Sequence, residues 1–450
     1  MTSNAPPQTS PYIALRNLLA NTSSELLSGL LLILATVISF TLANSAYTQG
    51  YLNFWQTPIT LSIGSFTLSQ TLQHWINEGL MTLFFFFVGL EIKREIYYGA
   101  LSSLKKAMLP IIAAVGGMVT PALIFALFNN DTSAAHGWGI PVATDIAFAV
   151  GILALFKNRI PPSLLIFLLT LATADDMGAI LIIALFYGKN IQMGFLIGAI
   201  LSCGFLLLVN RLKVYSTFPY IFLGVLQWLL LHKAGINPDI AGVITAFSIP
   251  LAGKIQSPHF IESLDELRND FSFHNEEQDK HFQRSEGQEI TLRKIQLTVK
   301  HVYSPSQRLI NSLRHWALFV IMPIFALANT GIPINLSDLQ HLFVDNLAIG
   351  IVAGLALGKP IGIFGASYLA VRFGMADLPS DMSWRHVSVA GLLGGIGFTM
   401  SLFIAELSFT GASVETCNAA KISILLGSFL SGILASLITL TYLKTLPQKA

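Results

Sequence analysis

Residues 171–183 read LATADDMGAILII, which sets two aspartates, Asp175 and Asp176, side by side in apolar sequence. They fall within a run from Ser163 to Tyr187 that is long enough to cross a bilayer. A carboxylate at the centre of such a span costs about 2.5–3.5 kcal/mol even on the lenient insertion scale. Two of them point to a buried partner or to an ion or proton path. Successive helix residues lie about 100° apart around the axis, so the two side chains leave the helix in different directions. One can meet a partner helix while the other enters a cavity.

Outward from this stretch the chain has the same character. Of its 450 residues, 53% are hydrophobic and 11% charged, and the mean hydropathy is +0.64, which is the composition of a polytopic membrane protein. The net charge of +2 gives no electrostatic footprint for nucleic acid. Cys203 and Cys417 lie far apart in apolar runs, without CxxC or metal spacing, and read as free thiols. The run Leu26–Ala43 ends in small residues, as a signal peptide does. The tail before it carries a single Arg and makes a poor n-region, so the run reads as a membrane span.

Apolar runs near 26–46, 72–97, 108–128, 140–156, 163–187, 191–210, 216–232, 236–252, 315–330, 346–371, 387–409 and 421–443 give twelve candidate spans, numbered 1 to 12 below. With the N-terminus inside, 22 Lys and Arg residues fall on the cytoplasmic side. Only Lys189, Lys233 and Lys421 fall opposite, and Lys359 lies inside a span. Both termini are therefore expected in the cytoplasm. The expected organisation is a cytoplasmic tail at 1–25, spans 1–8 over 26–252, a cytoplasmic insertion at 253–307, spans 9–12 over 308–443 and a second tail at 444–450.

Between spans 1 and 2, Ile59, Leu61 and Ile63, then Phe66 and Leu68, alternate around Gly64-Ser65. Period-two alternation about such a turn predicts a small β-hairpin outside the membrane, over about 51–71. A lone hairpin is marginal in water, so it is expected to pair, for instance with a second copy of itself. Span 2 holds Glu78 and ends in GLEIKRE, where Glu91 and Glu95 sit four apart beside Lys93 and Arg94. That pattern fits snorkelling ends and a solvated charge cluster, or the mouth of a funnel. Span 4 begins GIPVATDIAFAVGI, where Pro141 and Thr144-Asp145 predict an interrupted helix whose freed backbone groups face a cavity.

The insertion from Gln256 to Ser306 holds nine acidic residues and His259, His274, His281 and His301, without metal-ligand spacing. Two amphipathic pieces are expected in it, Ile261–Phe271 and Glu289–Val302. Span 10 puts Lys359-Pro360 near mid-span, where a buried ammonium needs a counter-charge such as one of the aspartates. Span 11 clusters Gly391, Gly394, Gly395 and Gly397, which suits an unwound segment. Interrupted spans in corresponding places of the two halves are the sequence pointer to a transporter site at the midplane.

Six motifs, FFFFVGLEIKRE (84–95), IPVATDIAFAVGILAL (140–155), ADDMGAILIIALFY (174–187), PIFALANTGI (323–332), GKPIGI (358–363) and GGIGFTMSLFIAEL (394–407), occur in one order. In them the chain resembles the NhaA-type bacterial sodium/proton antiporters. The resemblance implies an all-α polytopic membrane protein with twelve transmembrane helices, an inverted repeat relating spans 3–5 to 10–12, crossing interrupted spans 4 and 11, and a dimer in the bacterial inner membrane. It implies a transporter rather than an enzyme, with no cofactor. Its cargo would be sodium or lithium exchanged electrogenically for protons, in pH and sodium homeostasis. Residue by residue, Asp176 matches the principal ion-binding carboxylate and Asp175 its partner, which trades between a proton and the lysine matched by Lys359. Thr144 and Asp145 match the polar pair at the break of span 4, with Asp145 offsetting positive half-helix ends. Glu78, Glu91 and Glu95 match acidic positions of span 2, the last two tied to the cytoplasmic funnel and the pH response. The chain departs from the family at Asn237, Ile310, Asn311 and Glu406, and in its long insertion.

Two nearby carboxylates in a low-dielectric site cannot both ionise cheaply, so they titrate as a coupled pair. Sodium bound by Asp176, with Asp175 and Thr144 assisting, would compete with protons for the same groups. A sodium-coupled organic-solute symporter would need more buried polar residues. An intramembrane aspartyl protease using Asp145 and Asp175 lacks the GxGD context and leaves Lys359 unexplained. An ion channel is disfavoured by paired carboxylates with a buried lysine, and flux and current data would exclude it.

Overall fold

The computed structural model describes residues 24–63, 66–156, 159–188, 191–253, 257–273, 286–333 and 345–443. Both tails, the Gly64-Ser65 turn, Lys157, Lys189, His274 and His281 lie outside the described residues. Helices occupy all twelve expected segments. Among the described residues, nine are long and apolar enough to cross a membrane, or ten if the bent pair Trp384–Gly394 and Phe398–Ser408 is one span. Phe218–Ala234 and Asp239–Ser248, at spans 7 and 8, are shorter, with 17 and 10 residues. The chain is a multi-pass membrane protein. Its outer faces agree: Met193–Arg211 buries Ala199, Ser202 and Leu206 and turns Ile200, Leu201 and Phe205 outward.

The hairpin forms, with β1 (Pro58–Ile63) antiparallel to β2 (Phe66–Thr71) and Leu61 opposite Leu68. Its start was expected too early. Residues 51–55 belong to the helix Thr48–Trp55, because Tyr51 and Trp55, one turn apart, pack inward edge to face. The Tyr51 hydroxyl donates to the carbonyl of Leu327 at 2.6 Å.

The described chain divides into two compact units. The first comprises Met1–Met81, Glu95–Gly188 and Trp316–Ala450. In it, spans 3 and 10 meet backbone to backbone. A Cβ on Gly116 would lie 2.4 Å from the Gly362 carbonyl oxygen, and one on Gly362 would lie 2.1 Å from that of Gly116, so only glycines allow the approach. Spans 2 and 9 are joined by a buried reciprocal amide pair. Asn77 Nδ2 donates to Asn329 Oδ1 at 3.1 Å, and Asn329 Nδ2 donates to Asn77 Oδ1 at 2.7 Å.

Both interrupted helices lie in this unit. Span 4 is longer than expected, starting at Ala135. It runs as tight 3-10 turns through Val142, is extended over 143–145 and resumes as Ile146–Leu155. Pro141 removes a backbone donor just before the break. Span 11 opens over 395–397 and bends by 43°. Span 10 widens into a π turn at Gly354–Gly358, immediately before Lys359-Pro360. The proline ring would crowd the carbonyl four residues back, that of Ala356, and the wide turn relieves the clash.

The second unit comprises Thr82–Arg94 and Lys189–His315. Here the short helix Asp239–Ser248 lies against span 2, and a Cβ on Gly242 would meet the Thr82 carbonyl oxygen at 2.4 Å. Thr82 Oγ1 donates to Asp239 Oδ1 at 2.7 Å. At the other end the Lys93 ammonium donates to the carbonyls of Phe247 and Ile249, at 2.6 and 2.5 Å. Those are helix-end acceptors that lack intrahelical partners. The insertion supplies two amphipathic helices, Ser257–Phe273 and Glu286–Val302, slightly longer than expected, which pack on each other.

Candidate functional site

The breaks of spans 4 and 11 face each other, and backbone groups freed in each find partners in the other. The Asp145 N–H donates to the Ile396 carbonyl at 2.7 Å, and Thr144 Oγ1 lies 2.9 Å from the carbonyl oxygen of Gly394. In return, the Asp145 carboxylate serves both resuming half-helices. Its Oδ1 accepts from the Phe148 N–H at 3.0 Å, capping Ile146–Leu155, and its Oδ2 accepts from the Thr399 N–H at 3.1 Å, at the start of Phe398–Ser408. Two positive helix ends, each about half a charge, thus converge on one negative side chain.

Beside the crossing, Asp175 and Lys359 form an ion pair through Asp175 Oδ2 and Lys359 Nζ, and both side chains are wholly buried. Thr144 joins them. Its hydroxyl accepts from Lys359 Nζ at 2.9 Å and sits 2.7 Å from Asp175 Oδ2. It has one proton and two acceptors in reach, Asp175 and the Gly394 carbonyl, so it serves one at a time. Asp175 Oδ1 is buried and accepts no hydrogen bond among the described residues. It has lone pairs to offer a proton or a hard cation. Asp176, the next residue along the helix, is buried at 2% exposure.

Of the residues singled out in spans 4, 5 and 10, Asp175, Lys359 and Thr144 are in direct contact, with Asp145 and Asp176 adjoining through the chain. The acids of span 2 are placed differently. Glu78 pairs with His74 at 3.0 Å, Glu91 with Arg314 at 2.7 Å, and Glu95 accepts the Ala100 N–H at 3.1 Å. The departures acquire local roles as well. Asn237 Oδ1 accepts the Asp239 N–H at 2.9 Å, Ile310 is buried, Asn311 Oδ1 accepts from Gln307 at 2.8 Å, and Glu406 pairs with Lys421 at 3.2 Å. Cys203 and Cys417 are free thiols. Thr399, whose hydroxyl also donates to Asp145 Oδ2, is not among the residues that the sequence singles out. A threonine in an apolar helix carries no signal of its own.

Comparison with known proteins shows the family. The chain is 44% identical over 427 residues to the Na(+)/H(+) antiporter NhaA of Helicobacter acinonychis, covering 95% of each chain. To the Na(+)/H(+) antiporter NhaA of Wolinella succinogenes it is 43% identical over 414 residues, covering 91% of this chain and 90% of the other. Among solved structures it is similar to the sodium proton antiporter MjNhaP1 of Methanocaldococcus jannaschii, with 14% identity and a TM-score of 0.45 over 92% of each chain. The Na+/H+ antiporter 1 family model matches residues 20–439. The chain belongs to that family, whose members are transporters and not enzymes.

Proposed function

We propose that this protein exchanges sodium, and lithium, for protons across the bacterial inner membrane, by competition of cation and protons for the carboxylates of span 5. The observation that carries the reading is the buried Asp175–Lys359 pair, held with Thr144 at the crossing of two interrupted helices. A charge pair in a low-dielectric core opens only when another charge replaces one partner. A sodium ion ligated at Asp176 and Asp175 supplies that replacement. In the proton-loaded state Lys359 pairs with Asp175. In the sodium-loaded state Asp176 is the principal ligand, with Asp175 and Thr144 assisting. Each turnover moves more protons than sodium ions, so exchange is electrogenic and serves pH and sodium homeostasis. Glu78, Glu91 and Glu95 tune the response to pH.

The architecture of the reading is twelve spans, with an inverted repeat relating spans 3–5 to 10–12. Both termini and the 253–307 insertion lie in the cytoplasm. Two copies join through the apolar face of the hairpin, where Ile59 and Leu61 are 40% and 53% exposed. The test is sodium-driven proton movement in proteoliposomes, followed with a pH dye from about pH 6.5 to 9, for the wild type and Asp176→Asn. The expected result is proton movement on sodium addition in the wild type alone. Exchange that persists unchanged in Asp176→Asn overturns the ligand assignment, and a wild type silent at every pH overturns the exchange reading.

A further inference from the structure

We infer that Thr399 is a positioning residue for the exchange site: its hydroxyl fixes the Asp145 carboxylate across the crossing, and through it the Thr144–Asp175 contact. The inference rests on the exchange reading above. Hydroxyls inside the helices of this protein characteristically bond the carbonyl four residues back, as Thr170 does to Ile166, Thr245 to Ala241, Thr330 to Ala326 and Thr439 to Ala435. That local bond satisfies the hydroxyl and ties it to its own helix. Thr399 sits at the second position of Phe398–Ser408, so four residues back is Gly395, inside the break. Its hydroxyl reaches instead to Asp145 on span 4, alongside its own backbone N–H. Asp145 is wholly buried and Thr399 is 2% exposed.

The neighbouring bonds explain why this one matters. The first N–H of the half-helix, that of Phe398, is taken by Ser428 Oγ at 3.1 Å, and Ser401 Oγ donates to the Ile140 carbonyl at 2.7 Å. The half-helix is thus pinned to spans 4 and 12. The contact made by the Thr399 hydroxyl differs in ending on a charged group rather than on a neutral one. A hydrogen bond to a charge is worth about twice a neutral one. It also holds Oδ2 from the span 11 side while the Phe148 N–H holds Oδ1 from the span 4 side, which leaves the carboxylate no free rotation. Asp145 directly follows Thr144 in the chain, so a shift of that carboxylate moves the hydroxyl that touches Asp175 and Lys359.

The test is a variant cycle in proteoliposomes that reads half-saturating sodium and maximal rate separately. It uses the wild type, Thr399→Val, Thr399→Ser, Asp145→Asn and the double Asp145→Asn/Thr399→Val. Valine keeps the shape and removes the hydroxyl, whereas serine keeps the hydroxyl. Thr399→Val is expected to raise half-saturating sodium about tenfold, the size of a lost hydrogen bond to a charge, with the maximal rate within about twofold. Thr399→Ser should stay within about twofold of the wild type, and the double variant should match Asp145→Asn, since the neutral amide no longer gives Thr399 a carboxylate to position. A silent Thr399→Val, a Thr399→Ser as impaired as Thr399→Val, or additive effects in the double variant would each overturn the assignment. Should Asp145→Asn be inactive, the same cycle is read on thermal unfolding midpoints, where non-additivity supports the contact and additivity overturns it. A wild type without exchange removes the exchange reading by itself, and the unfolding cycle still decides whether Thr399 acts through Asp145.

Discussion

Lys359 Nζ meets Asp175 Oδ2 in an ion pair whose two side chains are both closed to solvent, the only such pair among the described residues. Burying two charges costs several kcal/mol each before their attraction is counted. Removing one partner therefore does more than delete a contact. Lys359→Met is expected to destabilise the protein by about 3–5 kcal/mol at alkaline pH, because the carboxylate is left charged in the core. The deficit should shrink as pH falls and Asp175 takes up a proton, and most of it should return in Lys359→Met/Asp175→Asn. Unfolding in detergent across pH measures this. A single variant as stable as the wild type at pH 9 would mean that the pair opens without consequence.

Glu91 and Arg314 provide the contrast, because their side chains are 29% and 36% exposed. An ion pair in that setting contributes less than about 1 kcal/mol and weakens with salt. Glu91→Gln should leave the unfolding midpoint nearly unmoved while displacing the pH curve of exchange. A large loss of stability with an unmoved pH curve would assign Glu91 to the fold instead.

Lys93 is only 7% exposed and donates to the carbonyls of Phe247 and Ile249. Lys93→Met leaves those acceptors without a donor, at a cost of about 1–3 kcal/mol. Hydrogen exchange at residues 244–249 should rise, and Lys93→Arg should restore part of the protection. Unchanged exchange in Lys93→Met would show that the helix end is satisfied without the ammonium.

Gly362→Ala places a methyl 2.1 Å from the Gly116 carbonyl oxygen, which is backbone and cannot rotate away. Spans 3 and 10 must separate, at about 1–3 kcal/mol. Lys359 lies one turn earlier on span 10, so sodium affinity should fall together with stability. Gly365→Ala, where nothing lies within 4 Å of the added carbon, serves as the control and should be neutral.

Much of the site was legible because charge is rare in an apolar chain. Asp175, Lys359 and Asp145 stand out against their surroundings, and each proved buried and partnered. The breaks in spans 4 and 11 were legible from Pro141 and the glycine cluster, although two of those glycines, Gly391 and Gly394, remain helical. Neutral polar residues left no such trace. Thr399, Asn77 and Asn329 are ordinary helix residues until the fold supplies a partner from a distant segment. Helix ends misled where aromatic residues continue an alternation, which drew Tyr51 into the hairpin although its hydroxyl reaches Leu327. Span 8 is shorter than its apolar run, 10 residues within 236–252, because apolar loop residues extend the hydropathy signal beyond the helix.

The wide turn at Gly354–Gly358 has a consequence for aim. A π turn amounts to one residue inserted into a regular helix, and one residue is worth about 100° of rotation. Everything in span 10 after Gly358 is therefore rotated by that angle against the face set by Asn346–Ala353. Deleting a single residue from 354–357 would restore a regular helix and swing the Lys359 ammonium away from Asp175, with no change in either charge. The pairing is written in the length of the chain between two points as much as in the identity of its residues.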